Sequence, residues 1–163
     1  MKFEELDVEG FVKWNSREIR EPEIFACARA IREEHSYEKV GAVGYCYGAW
    51  ACFRLGAKEH AEAPLVDAIS FGHPSLLTKK DIGEVDVPVQ ILAPEIDPAY
   101  SVEMKRYTFD KLMELNLPFD YQHFPKVVHA CFIRGDENTE GERAAMVRAK
   151  NATVAWFRQF LKE

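Results

Sequence analysis

Four short apolar runs, spaced by stretches of helical pattern, constrain this chain more than any other feature. The runs are residues 39–45, 65–71, 87–93 and 119–124. Each is short and bounded by breaker residues, as buried strands are. Between and around them, residues recur at helical spacing: Ile24, Phe25, Ala28, Ile31 and Arg32; the Ala-rich stretch 49–59; Val102, Met104, Lys105, Tyr107, Leu112 and Leu115; and Met146, Val147, Val154, Trp156, Phe157 and Phe160. Pro22 suits the first turn of a helix over 22–35, where a missing N–H costs little. Strands alternating with helices build βαβ units. The expectation is an α/β fold, a mostly parallel sheet of about four strands flanked by helices. No repeat, low-complexity tract or long linker interrupts it, so residues 1–163 read as a single domain. Residues 1–21, charged with scattered aromatics (Phe3, Phe11, Trp14), read as an irregular or helical N-terminal segment.

A chain of 163 residues with 47% hydrophobic residues can bury a real core. Its net charge of −6 argues against nucleic-acid or acidic-membrane binding, which needs a basic surface. The four cysteines (Cys27, Cys46, Cys52, Cys131) form no CxxC pair and no zinc-like spacing. A disulfide framework does not suit a chain of this length, so the thiols read as reduced and the compartment as cytoplasmic. The start, MKFEELDVEGF, has no signal-peptide pattern, and no stretch approaches the ~20 apolar residues of a membrane span.

The chemistry concentrates where the first strand meets its helix. Gly44-Tyr45-Cys46-Tyr47-Gly48 is a G-x-C-x-G motif, the cysteine form of the nucleophile elbow. A sharp turn there lifts the side chain above the sheet. Glycines two before and two after it fit where strand and helix crowd together. The thiol then sits at a helix N-terminus, which favours thiolate over thiol. The Tyr47 N–H points towards a developing oxyanion. A glycine-rich turn with an inert cysteine is the blander reading.

An elbow needs a base and a group to orient it, in the chain order nucleophile, acid, histidine. Asp97 follows the third run and His129 the fourth, so both belong on loops at the carboxyl edge of the sheet, where such folds place their ligands. His129 would hold the thiolate and transfer protons, and Asp97 would fix the imidazole. Glu95 competes with Asp97. His123 is disfavoured because it lies within the strand, and Cys131 reads as packing.

At this point the sequence resembles the dienelactone hydrolase family, particularly its fungal branch. The residues that carry the likeness are VGAVGYCYGAW around Cys46, FGHPS at 71–75, APEID at 93–97 and VVHACFIRGDE at 127–137. The resemblance covers about residues 22–163. It implies an α/β-hydrolase fold, a Cys46–Asp97–His129 triad, and hydrolysis of small lactones or esters with no metal and no cofactor. The family's histidine loop carries an arginine that can meet a substrate carboxylate, and Arg134 is the nearest match. A surface ion pair with Asp136 or Glu137 is its alternative. His73, Tyr45 and Tyr47 are placed to line the pocket, with backbone bonding or aromatic packing as their alternatives. Ala49 stands where the family commonly has a further glycine.

The family carries several strands before the region matching residue 22, including the loop that supplies a second oxyanion N–H. Residues 1–21 do not resemble that part. Losing one such donor can cost about 10²–10³ in rate. The elbow strand, normally central, would then be an apolar sheet edge, and such edges pair with other chains. The expectation is a homodimer through that edge, or a partner supplying the absent half. Three functions stay open: a cysteine-dependent hydrolase of small lactones or esters, a non-hydrolytic protein that binds or rearranges a biosynthetic intermediate, and an inactive fragment.

Overall fold

A computed structural model describes residues 7–35 and 37–162. Residues 1–6, including Phe3, lie outside the described residues. The elements run α1 (Val8–Trp14), α2 (Arg17–His35), β1 (Gly41–Tyr45), α3 (Gly48–Leu55), a 3₁₀ turn (Lys58–His60), β2 (Ala68–Gly72), α4 (Lys79–Glu84), β3 (Val89–Ile96), α5 (Val102–Glu114), β4 (Phe119–Val128), α6 (Cys131–Arg134) and α7 (Glu140–Phe160). The four strands form one wholly parallel sheet in the order β1-β2-β3-β4.

Strand periodicity sorts the core into two faces. Ile69 and Phe71 of β2 and Val89, Ile91 and Ala93 of β3 face one way, into a cluster with Phe53, Leu55, Ile82 and Leu112. Those partners come from α3, α4 and α5. Crossovers of one hand between strands in sequential order put these helices on the same face. Leu92 faces the other way, with Phe124, Val127, Phe132, Ala145 and Ala149 under α6 and α7. Ser70 and Gln90 also face α7. They are satisfied there: Ser70 Oγ donates to Gln90 Oε1 at 2.8 Å, and Gln90 Nε2 donates to Asp120 Oδ2 at 2.9 Å and the Ala152 carbonyl at 3.1 Å.

Several boundaries differ from the sequence expectation. Pro22 lies inside α2 and not in its first turn, because the helix already starts at Arg17, where Ser16 O accepts from Ile19 N and Arg20 N. Pro22 and Glu18, whose carbonyl loses its helical donor, are both exposed, which limits the cost. Leu65 and Val66 are buried but precede β2; Asp67 fixes this stretch by accepting from Val40 N and pairing with Arg32. Helix α4, which helical spacing did not single out, is started by a capping box between Thr78 and Asp81. Strand β4 runs on past Phe124 to Val128, and its pairing with β3 shifts register between Pro94 and Ile96. A proline has no N–H for the ladder.

Strand β1 is an edge. Val43 on it is 51% exposed. An apolar groove of about 350 Å³ runs beside it, lined by Ile24, Ile31, Val40, Val43, Gly48 and Ala51 among others. Among the described residues, no helix is long and apolar enough to cross a membrane.

Candidate active site

The candidate site residues follow directly on strand ends. Cys46 follows β1, His73 follows β2, Asp97 follows β3 and His129 follows β4. Pairing of Tyr45 with Gly72, and of Ile96 with Val128, brings these ends level. The His129 N–H donates to Ile96 O at 3.0 Å, which fixes the histidine loop against β3.

Cys46 has φ 51°, a left-handed value rare for a residue with a side chain. The turn is therefore strained, as an elbow is. Gly44 is required there: a Cβ would lie 2.3 Å from Gly48 O. Gly48 is not required, since a Cβ on it would meet nothing within 4 Å. The expected crowding exists on the strand side only, because Gly48 borders the open groove beside β1.

Asp97, His129 and Cys46 form one chain of contacts. Asp97 Oδ1 lies 2.8 Å from His129 Nδ1, and His129 Nε2 lies 3.3 Å from Cys46 Sγ. Asp97 is 7% exposed. Its Oδ1 also accepts from the N–H groups of Ala99 at 2.9 Å and Tyr100 at 3.1 Å, while Oδ2 is buried without a partner. Glu95 is not the partner of His129. It is exposed, and its Oε2 accepts from Lys126 N at 2.6 Å. His123 is exposed on β4, away from these contacts.

Two groups in this site were not singled out from the sequence. Ser75 Oγ lies 3.2 Å from Cys46 Sγ. The FGHPS stretch contains Ser75, but only the pairing of β1 with β2 shows that it meets the elbow. Lys105, 9% exposed on α5, donates to the carbonyl of Glu95 at 3.0 Å and to that of Pro94, holding the bulge that leads into Asp97. A lysine on the apolar side of a helical pattern was its only sequence signal.

His73 does not line an open pocket. It is 0% exposed, with Tyr45 stacked at 5.5 Å, Phe132 at 5.4 Å and the ring of His129 at 4.8 Å. Neither of its ring nitrogens has a hydrogen-bond partner. Burial pushes its pKa down to about 4, and the neighbouring His129 acts in the same direction. Tyr45 is half-buried in this packing, stacked on His73. The Tyr47 phenol turns to the N-terminal helices, donating to Asn15 O and packing on Phe11 and Trp50, so only its backbone N–H stays at the elbow. Arg134 ends α6, exposed, and neither Asp136 nor Glu137 forms an ion pair with it. Cys131 is buried, and burial raises its thiol pKa.

A groove of about 910 Å³ between β4 and α7 is lined by Gln122, Arg143, Val147, Arg148 and Ala152 among others and lies away from Cys46. Among the described residues, no group of three or more His, Cys, Asp or Glu side chains could hold a metal ion.

The sequence can be placed among known proteins. Residues 12–161 match the profile of the dienelactone hydrolase family. The chain is 28% identical over 146 residues to "Hydrolase tropI" of Talaromyces stipitatus, covering 90% of this chain and 56% of that protein. It is 27% identical over 143 residues to "Hydrolase pyvD" of Aspergillus violaceofuscus, covering 88% and 56%. The chain thus spans about half the length of these curated relatives. The fold resembles a dienelactone hydrolase-like promiscuous phosphotriesterase, P91, from metagenomic libraries, with a TM-score of 0.71 at 20% identity, covering 95% of this chain and 66% of that one. A puromycin-hydrolysing peptidase of Mycobacterium tuberculosis gives a TM-score of 0.66 at 14% identity, covering 83% and 24%. These likenesses show the α/β-hydrolase fold, and the family match settles the lineage: this chain belongs to the dienelactone hydrolase family.

Proposed function

We propose that this chain carries the working centre of a cysteine-dependent hydrolase of small lactones or esters. The observation that supports it is the unbroken run of contacts from Asp97 Oδ1 through His129 to Cys46 Sγ. In this reading His129 Nε2 takes the thiol proton. The Cys46 sulfur attacks the carbonyl, and the Tyr47 N–H donates to the oxyanion. The intermediate collapses to a thioester, and the departing alkoxide takes the proton from His129. Water, deprotonated by His129, then attacks the thioester and releases the acid and the thiolate. Asp97 accepts from Nδ1–H, holding the tautomer and stabilising the imidazolium. Arg134, exposed five residues after His129, is free to meet an anionic group on the substrate.

Assembly belongs to the same proposal. The β1 edge, unpaired among the described residues, and its apolar groove favour a second copy of the chain across that edge. Val43→Lys is expected to give a monomer where the unaltered chain is a dimer by light scattering; an unaltered chain that is monomeric defeats this part. The four free cysteines support a reducing, cytoplasmic setting.

The test of function is turnover of activated esters and dienelactone-type substrates by the chain beside Cys46→Ala. Turnover abolished by the substitution supports the reading. Turnover that survives it, or none in either protein, removes it, and absent turnover directs attention to non-hydrolytic binding.

A further inference from the structure

We infer that Ser75 is a catalytic residue of this site: its hydroxyl, resting against the Cys46 sulfur, donates to the oxyanion formed by attack. This rests on the hydrolase reading above. Ser75 Oγ, on the loop after β2, lies 3.2 Å from Cys46 Sγ, and His129, on the loop after β4, meets the same sulfur at 3.3 Å. While the sulfur carries a proton, either atom can donate. Once His129 holds that proton, the thiolate has none to give, and the serine hydroxyl has to be the donor.

The next step follows the charge. A sulfur lone pair forms the S–C bond while the carbonyl π pair moves to oxygen. Negative charge leaves the sulfur, and the hydroxyl loses its acceptor. The new oxyanion is only two bonds from Sγ. A donor already within hydrogen-bond distance of the sulfur reaches it by rotation about χ1 between staggered wells. Ser75 keeps its own proton throughout; the leaving alkoxide is protonated by His129. The oxyanion then has two donors, the Tyr47 N–H and the Ser75 O–H, from this chain alone.

The serine is set in place before the substrate arrives. Its N–H donates to Cys46 O at 2.9 Å, and Cys46 N donates to Gly72 O at 3.2 Å. The loop is further fixed by left-handed backbone on both sides, His73 at φ 37° and Leu76 at φ 59°, with Pro74 between them. A donor held this way needs little reorganisation in the transition state.

The experiment compares the full chain with Ser75→Ala, Ser75→Thr and Cys46→Ala, using p-nitrophenyl acetate turnover and iodoacetamide alkylation of Cys46. Alkylation uses the thiolate but forms no oxyanion. Ser75→Ala is expected to lose about 10²-fold in kcat with KM changed by less than about threefold. Its alkylation rate stays within about threefold of the unaltered chain, since His129 still supports the thiolate. Ser75→Thr, which keeps a hydroxyl, recovers most of the loss. Turnover in Ser75→Ala equal to that of the unaltered chain overturns the inference. So does a loss of kcat matched by an equal loss of alkylation, which would mean only the thiolate had suffered. Turnover that Cys46→Ala leaves intact is the separate result that defeats the hydrolase reading itself.

Discussion

Replacing His73 with phenylalanine separates two consequences of its burial. The imidazole is 0% exposed and neither nitrogen is bonded, so its neutral form already carries unsatisfied polar atoms. Burying such an unsatisfied group costs about 1–3 kcal/mol. A phenyl ring fills nearly the same space against Tyr45, Phe132 and His129 without them. His73→Phe is therefore expected to be more stable by about 1–3 kcal/mol at pH 7. The second consequence is acid sensitivity. Burial holds His73 at about 4, against an ordinary value of 6.5. Asp97 opposes this and His129 reinforces it. Between those pH values the unfolded chain binds a proton that the folded chain refuses, so stability falls as pH drops through the window. At about 1.4 kcal/mol per pH unit, the full gap is worth about 3 kcal/mol. The carboxylates of Asp67 and Asp81, held low by hydrogen bonds and by Arg32 and Arg17, lose their contribution only below about 4. Urea unfolding at steps from pH 7 to pH 4 checks this, with variant and unaltered chain side by side. The variant's advantage should widen as pH falls. Parallel curves, or a variant less stable at pH 7, would refute the reasoning.

The two elbow glycines should behave oppositely. Gly44→Ala drives a Cβ to 2.3 Å from backbone at Gly48 and is expected to cost about 3 kcal/mol or more, while Gly48→Ala, with open space around it, is expected to gain about 0.5–1 kcal/mol by thermal melting. Asp97→Asn can keep its oxygen on the Ala99, Tyr100 and His129 donors and turn its amide to the side where Oδ2 has no partner. It should fold normally and lose about 10²–10⁴-fold in kcat, because the charge that stabilises the imidazolium is gone; a fall in melting temperature that accounts for the lost activity would show a structural role instead.

Much of this fold was legible because it depends on local pattern. The four apolar runs became the four strands, and the helical stretches became α2, α3, α5 and α7. What escaped the sequence depends on partners distant in the chain. Strand β4 reads as ending near Pro125, yet it continues because Ile96 pairs with Val128 beyond the bulge. Helix α4 is six mostly polar residues with too little apolar periodicity to notice, and its capping box was the cue. Ser75 and Lys105 carry ordinary side chains at unremarkable spacings. Only sheet register and helix packing bring them to Cys46 and to the Asp97 loop.

The site shows why register matters more than motif here. Parallel strands ending level put Cys46, His73, Asp97 and His129 in one row, in the order of the sheet. Adjacent strands lie about 4.8 Å apart, so the ends of β1 and β4 are separated by about 14 Å, too far for a direct contact. His129 nevertheless touches both Asp97 and Cys46. It does so because its imidazole lies back over the end of β2, against the residue that follows that strand. The residue at that strand end becomes the floor on which the imidazole rests. That residue is His73, 4.8 Å away between ring centres. In the proposed mechanism, a charged floor would repel the imidazolium that His129 becomes on taking a proton. A buried ring that refuses protons down to about pH 4 does not. The unpaired nitrogens of His73 are thus compatible with the chemistry above them, and the phenyl replacement should preserve both the floor and the KM while removing the acid sensitivity.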